Sequence, residues 1–220
     1  ERCRPRARHL QYFTFIQILN WRLTMKRLIT IFILLCFFSI KAQVPYELTA
    51  SSESFSPLTD ASAFTWNNSN ADDDYSVATN IFDGTASFNY CGTAFTQFQV
   101  STNGFIKFGN SLASAVPSDN LKGDLRGIVA PLWNDLAVGN QVTDITYKLA
   151  GTPDNYVMTI EWKNVKWSKT AATSNAQFQV KLYQSNGNIE FIYGTMSSPT
   201  SGSASIGLVD NTVIVTTTQS

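Results

Sequence analysis

The sequence has little histidine or cysteine, and both shortages exclude common kinds of active site. It contains one histidine, His9, and three cysteines, of which only Cys91 follows residue 43. From residue 43 onward there is therefore no imidazole for a catalytic dyad or triad or for a zinc site. Within that part of the chain, Cys91 has no second cysteine with which to form a disulfide or a thiolate metal cluster. Most common hydrolase mechanisms, which need a catalytic histidine or a histidine-bound zinc ion, are thereby excluded.

Charge is also scarce, and it is unevenly distributed. The chain has 16 Lys and Arg and 16 Asp and Glu, which gives a formal net charge of zero. Residues 1–42 hold 8 of the basic residues and only one acid, Glu1, so residues 43–220 carry 8 basic and 15 acidic side chains, net −7. An acidic body of this kind repels nucleic acid, and we expect no nucleic-acid partner.

Long apolar runs are missing except at residues 28–40, where only Thr30 and Ser39 are polar. Thirteen residues are fewer than the roughly 20 needed for a membrane-spanning helix, so a membrane anchor is the weaker alternative. The run follows Lys26 and Arg27 and precedes the small residue Ala42, which is typical of a signal peptide. We predict a helical signal peptide over 25–42, a mature chain that begins at Gln43, a secreted or cell-surface location, and no stable membrane span after cleavage.

Residues 1–24 begin without Met, contain five arginines and precede Met25. Because a signal peptide acts near the start of a chain, we expect 1–24 to be non-native sequence translated upstream of Met25. The alternative is a basic arm that binds nucleic acid or phospholipid.

The rest of the chain has the composition of strands and turns. Ser, Thr and Asn make up 57 of the 178 residues from Gln43, and aromatic residues make up 21. This mixture favours half-buried strands joined by polar turns. Two β-hairpins are clearest, at 96–108 and 177–194, because apolar and polar residues alternate on both sides of Asn103-Gly104 and Asn186-Gly187.

Further strands complete the prediction of the fold. We expect one strand over 156–163 and a buried strand from Ile128 that breaks at Pro131. Shorter strands are expected at 46–50, 87–90, 143–149 and 204–209. About eight or more short strands at this spacing predict an all-β fold, an antiparallel β-sandwich over 43–210, and residues 211–220 are expected to be a tail or the start of a linker to a missing domain.

Alternation also predicts which side chains face inward. The set expected in the core is apolar: Phe98, Val100, Trp162, Phe178, Val180, Leu182, Ile189 and Phe191. The set expected to face water is polar: Gln99, Lys163, Gln179, Lys181 and Glu190.

The polar stretch 67–74 concentrates oxygen ligands and ends in Asp72, Asp73 and Asp74. Calcium takes six to eight oxygen ligands, so these three aspartates are a candidate calcium site. The stretch lacks the glycine and the distal glutamate of an EF-hand loop, and a plain acidic turn is the alternative. We expect no other cofactor.

Two of the four carboxylates Asp135, Glu161, Glu190 and Asp210 could in principle form a glycosidase pair. Nothing in their spacing selects two that would flank a sugar bond. Glu161 and Glu190 fall on the outer faces of alternating strands, which indicates a solvated surface. We therefore expect no catalytic residue and no enzymatic activity.

Tryptophan side chains on a β-sandwich can stack on sugars. Trp133 ends a buried run and Trp162 falls on the apolar face, so both are expected in the core. Trp167 lies an odd number of positions after Trp162 and is expected to face outward beside Lys163 and Lys169. Trp167 is the candidate ligand-binding residue, and a carbohydrate-binding module is the alternative function.

Six motifs follow one another in a fixed order: FNYCG at 88–92, FQVSTNGFIKFG at 98–109, IVAPLWNDL at 128–136, IEW at 160–162, FQVKLYQSNGNIEFIYG at 178–194 and SIG at 205–207. This order resembles the N-terminal β-sandwich module of large surface proteins exported by bacteria with type IX secretion. It is similar, more loosely, to the nidogen-type extracellular domain.

The resemblance covers about residues 46–210 and assigns no active-site residue. It implies an exported, non-enzymatic module with an adhesion or structural role at the cell surface, whose partner is an extracellular glycan or protein surface. The type IX proteins carry a C-terminal sorting domain, which this sequence lacks. We therefore expect the chain to be a fragment of a longer protein.

Overall fold

The computed structural model describes residues 46–70, 72–114, 126–139, 142–168, 170–173, 176–197 and 203–210, and the main chain of 212–219. The predicted signal peptide at 25–42 and the residues before it lie outside the described residues. In the described part the chain forms fourteen strands and one short 3-10 helix, Val142–Asp144. The strands in chain order are β1 Ser62–Ala63, β2 Thr79–Asn80, β3 Phe88–Tyr90, β4 Thr93–Phe95, β5 Gln97–Ser101, β6 Phe105–Phe108, β7 Ile128–Trp133, β8 Ala137–Val138, β9 Ile145–Ala150, β10 Val157–Lys166, β11 Ala176–Tyr183, β12 Ile189–Tyr193, β13 Ala204–Asp210 and β14 Thr212–Gln219.

These strands form two antiparallel sheets and a ribbon. The first sheet has the order β1-β9-β10-β11-β12, and β8 also pairs with β10. The second sheet has the order β14-β13-β7-β6-β5-β2, and β3 pairs with β4 in a separate two-stranded ribbon. Apolar side chains from both sheets join one hydrophobic cluster, so the two sheets pack face to face. The predicted all-β antiparallel sandwich is confirmed.

The core matches the predicted inward face closely. Six of its predicted members are fully buried: Phe98, Val100, Trp162, Phe178, Val180 and Leu182. The other two, Ile189 and Phe191, are half-buried and pack against the same cluster, because β12 is the outermost strand of its sheet.

The polar face is less exposed than alternation predicted. Gln99 and Gln179 are buried, and so is Glu161 on the same outer face as Gln179. The side of the sheet was predicted correctly, but chain segments cover these residues. Gln99, for example, accepts a hydrogen bond from Leu112 N at 2.8 Å and donates one to Ser76 O at 3.0 Å.

Pro131 does not end its strand, which runs on to Trp133. Pairing between β7 and β13 shifts register between the Ala130 and Trp133 pairs, and Pro131 lies at this irregularity. A proline is tolerated there because the ladder needs no N–H donor at a bulge. The Pro131 carbonyl accepts a hydrogen bond from the Tyr193 hydroxyl at 2.6 Å.

Three other boundaries differ from the predictions. Residues 46–50 form no strand, and 143–144 belong to the 3-10 helix that precedes β9. The expected tail after Asp210 contains β14, which pairs with β13, so the sandwich extends beyond 210. The threonines of this segment are β-branched and suit a strand. The fourteen strands of the described part agree with the predicted eight or more, and the additional ones apart from β14 have only two or three residues, too few to show alternation.

Candidate functional site

Trp167, the predicted ligand platform, is buried with 6% of its surface exposed. Its indole Nε1 donates a hydrogen bond to Ser197 O at 2.9 Å. The prediction failed because β10 shifts register between Trp162 and Val165, where Asn164 has a φ of 50°. This bulge resets the alternation, and Val165 and Trp167 consequently face inward.

The other tryptophans of the described chain are buried as well. Trp133 and Trp162 lie in the core as predicted, and Trp66 is 9% exposed. Of the aromatic side chains described, Tyr193 alone is exposed, at 37%. The carbohydrate-binding alternative thus loses the side chain on which it depended.

Asp74, one of the three predicted calcium ligands, is fully buried and organises the acidic loop. Its carboxylate accepts hydrogen bonds from the main-chain N–H groups of Asn68, Asn70 and Tyr75. Its own N–H donates to Thr102 Oγ1 at 2.9 Å. The carboxylate oxygens are therefore used inside the loop, and Asp74 is a poor ligand for an ion.

Asp72 and Asp73 instead meet a third carboxylate, that of Asp135. One oxygen from each of the three lies within 4.8 Å of the others. Asp72 forms a bridge with Ala137, two residues after Asp135, and Asn103 Nδ2 donates to Asp73 Oδ1 at 3.0 Å. The Oδ1 atom of Asp135 is shielded from solvent and accepts no hydrogen bond within the described part of the chain. Three like charges this close repel one another, and a divalent cation would offset the repulsion.

Spacing alone did not reveal this cluster. Asp135 lies about sixty residues after Asp73 and was considered only as half of a glycosidase pair. The hairpin loop after β5 brings them together, since Thr102 N donates to Asp74 O at 3.0 Å and Asn134 N donates to Asn103 O at 3.4 Å. No signal in the sequence predicts that geometry.

Glu161 is fully buried, which contradicts the expected solvated position. Its Oε2 accepts hydrogen bonds from Leu58 N at 2.8 Å and from Gln179 Nε2, and Lys163 Nζ lies 3.1 Å from its Oε1. The covering segment is residues 53–59, which we call the strap. The strap explains why a carboxylate on the outer face is not in water.

The remaining ionisable groups with altered pKa values have structural partners. Loss of water around the hydroxyl groups raises the pKa values of Tyr46, Tyr90 and Tyr193, although part of Tyr193 is exposed, and these hydroxyls donate to the main-chain oxygens of Gly187, Ile128 and Pro131, respectively. These phenols are held protonated as donors, which suits a structural role.

Cys91 is also held protonated. Burial, with a smaller contribution from Asp210, raises the pKa of its thiol to about 11. A reactive cysteine needs a lowered pKa, so this environment does not activate the thiol.

The geometry defines an antiparallel β-sandwich with an acidic three-aspartate cluster and a strap over one outer face. Comparison with known proteins then identifies the family: the NIDO-related family model matches residues 45–220, and the chain belongs to this family. NIDO-related domains are extracellular, which agrees with the predicted secreted location. The predicted nidogen likeness is confirmed, whereas the type IX likeness stays a prediction.

No curated protein and no solved structure matches the chain. Over the residues that the structure describes, no helix has the length and apolar character needed to cross a membrane.

Proposed function

We propose that this protein is an extracellular, non-enzymatic interaction module with an adhesion or structural role at the cell surface. The observation that carries the proposal is the NIDO-related match over 45–220, which includes every described strand of the sandwich and makes it part of an extracellular family. The partner proposed is an extracellular glycan or protein surface, and nucleic acid is not expected because residues 43–220 are acidic.

The non-enzymatic part of the proposal is supported by the way ionisable side chains are used. Asp74 and Glu161 are buried, and both accept hydrogen bonds from main-chain N–H groups, Asp74 within its own loop and Glu161 from the strap. A general acid or base instead needs a position within hydrogen-bond reach of a substrate.

The resemblance to modules of type IX secreted proteins supports a bacterial cell surface as the place of action. The predicted signal peptide at 25–42 supports export. N-terminal sequencing of the exported protein should find its first residue at or near Gln43. An intact chain beginning at Glu1 would contradict cleavage of the signal peptide.

The experiment that tests the role is a surface and adhesion assay with the full chain. Protease treatment of intact producing cells should degrade the protein, and beads coated with it should bind isolated cell envelopes or matrix above an albumin control. Hydrolysis of a polysaccharide or peptide that is abolished by changing one carboxylate would overturn the non-enzymatic assignment.

Binding of a calcium ion is a second proposal. Its ligands differ in part from those predicted, because Asp135 takes the place of Asp74. The convergence of Asp72, Asp73 and Asp135 supports it, together with the shielded Oδ1 of Asp135. Millimolar calcium outside cells would suit a weak site of this type, for which dissociation constants run from about 10⁻⁴ to 10⁻³ M.

A further inference from the structure

The strap, residues 53–59, is attached to the first sheet mainly through its main chain. Gln179 Nε2 donates to Ser56 O at 2.8 Å, and Lys148 Nζ donates to Thr59 O at 2.7 Å. Leu58 is held on both sides, since its N–H donates to Glu161 and its carbonyl accepts from Lys163 Nζ at 3.4 Å. One side-chain contact adds to these, an ion pair between Glu53 and Lys181 at 3.8 Å.

Contacts of this kind recognise a polypeptide by its amide groups. The face offers one buried carboxylate as acceptor and three side-chain donors, from β9, β10 and β11. None of these four main-chain contacts depends on the identity of a strap side chain. Any chain that presents N–H and C=O groups at the same positions would satisfy them.

Little apolar burial holds the strap in place. Glu53, Ser54, Ser56, Pro57 and Thr59 are exposed, and the half-buried Phe55 and Leu58 do not belong to the hydrophobic core cluster. A cavity of about 250 Å³ lies between the strap and the sheet, and Thr159 and Ile192 line its floor. Segments with few buried apolar contacts open at a lower free energy than core strands.

The chain on either side of the strap has anchors of its own, at Tyr46 and at β1. On one side the Tyr46 hydroxyl donates to Gly187 O at 3.2 Å and its ring packs on Tyr90. On the other side β1 pairs with β9, and Asp60 between the strap and β1 has a φ of 53°. Asp60 therefore marks a bend between the strap and the paired strand β1, so that loss of the strap contacts would leave the β1–β9 pairing intact.

Opening would also relieve a cost of the closed state. Glu161 is a fully buried carboxylate, and burial of a charge is unfavourable unless its partners compensate for lost water. When the strap leaves, water reaches the Glu161 carboxylate, which offsets part of the lost hydrogen bonding.

We propose that the strap is a displaceable lid, and that the face beneath it binds the main chain of a partner polypeptide. The proposal rests on the interaction role proposed above and names the chemical class of its partner. A peptide copying the strap is the natural probe, because the strap already occupies the face.

Hydrogen exchange of the full-length protein tests the lid without any partner. The Leu58 amide should exchange at least about a hundredfold faster than the Val180 amide of β11, because it needs only local opening. Equal protection of the two amides would show that the strap opens only with global unfolding, and the proposal would be wrong.

Peptide binding tests the site. An end-blocked peptide of sequence ESFSPLT should bind the full chain, and the same peptide with N-methyl-leucine should not, because it cannot donate to Glu161. In Leu58→Pro the strap loses this N–H, so the lid is open more often and the peptide should bind about tenfold more tightly. Thr59→Ala is the matched control, since it keeps every main-chain contact and should bind the peptide as the wild type does.

Equal binding of the plain and N-methylated peptides, or no binding of either, would overturn the proposal. If Leu58→Pro does not fold, the proposal is still tested with the wild-type chain, by its hydrogen-exchange rates and by its binding of the two peptides. Adhesion without peptide binding would refute only the lid proposal. Peptide binding without adhesion would refute only the proposed adhesion role.

Discussion

Trp162 Nε1 donates a hydrogen bond to Ser101 O at 3.1 Å, joining the two sheets through the middle of the core. Both residues are fully buried, and the indole stacks on Phe178 with ring centroids 5.1 Å apart. A buried indole N–H needs an acceptor, and here the acceptor lies at the end of β5 in the opposite sheet. Trp162 is therefore a structural residue that fixes how the sheets pack.

Replacing Phe178 tests this packing. Phe178→Ala should lower the free energy of unfolding by about 3–5 kcal/mol, because it removes a fully buried ring that contacts Trp162. Lys181→Ala is the control on the same strand, and its partly exposed ion pairs should change the free energy by less than about 1 kcal/mol. Denaturant melts measure both, and equal losses would mean that the strand register is wrong.

Calcium should raise the melting temperature if the three-aspartate cluster holds an ion. At about ten times its dissociation constant, an ion adds about 1.4 kcal/mol to the free energy of unfolding. Asp135→Asn should abolish the calcium-induced rise, whereas the exposed Asp154→Asn should keep it. A rise of the same size in all three proteins would assign the effect to another site, and no rise in the wild type would refute the calcium proposal.

Asp83 makes part of the stability dependent on acid pH. Hydrogen bonds from Thr85, Ala86 and Tyr156 lower the pKa of its carboxyl from 3.8 to about 2. Because the folded-state pKa is the lower one, this contribution is complete above about pH 4 and is lost as the pH falls through 2. The melting temperature of the wild type should therefore exceed that of Asp83→Asn at pH 6 and converge with it near pH 2.

An NMR titration of the Asp83 side-chain carbon checks the cause directly. Its midpoint is expected at about pH 2 in the folded protein. A midpoint close to 3.8 would show that these hydrogen bonds do not favour the carboxylate.

Cys91 should react slowly with alkylating reagents. With its pKa raised from 9.0 to about 11, the thiolate fraction at pH 8 is about a hundredfold lower than in the unfolded chain. Iodoacetamide labelling, followed by mass spectrometry of the peptide containing Cys91, measures the rate. Asp210→Asn removes a nearby negative charge and should speed the reaction, and a native rate equal to the denatured rate would contradict the assigned environment.

Regular alternation in the sequence allowed the hairpins and most of the core to be predicted. In β5 and β11 each inward position carries an apolar side chain, so Phe98, Val100, Phe178 and Val180 were placed correctly. Trp167 was misplaced because one bulge, at Asn164, exchanges the two faces of a strand without any mark in the hydrophobic pattern.

The candidate sites depended on contacts between distant segments, which a local pattern does not encode. Glu161 looks solvated until the strap is placed over it, more than a hundred residues earlier in the chain. Asp135 joins Asp72 and Asp73 only because the β5–β6 loop lies between them. Hydrogen bonds and charge, rather than hydrophobic periodicity, determine both sites.

The pairing of β1 with β9 has a consequence for the order in which the domain folds. Ser62 and Ala63 pair with Tyr147 and Thr146, about eighty residues further along the chain, and β7 pairs with β13 over a similar distance. Such distant pairings require large loops to close before any contact compensates for the lost entropy. Folding is therefore expected in milliseconds to seconds rather than microseconds. Until these pairings form, the edges of the early strands carry unpaired N–H and C=O groups. Aggregation through these edges is most favourable in that interval.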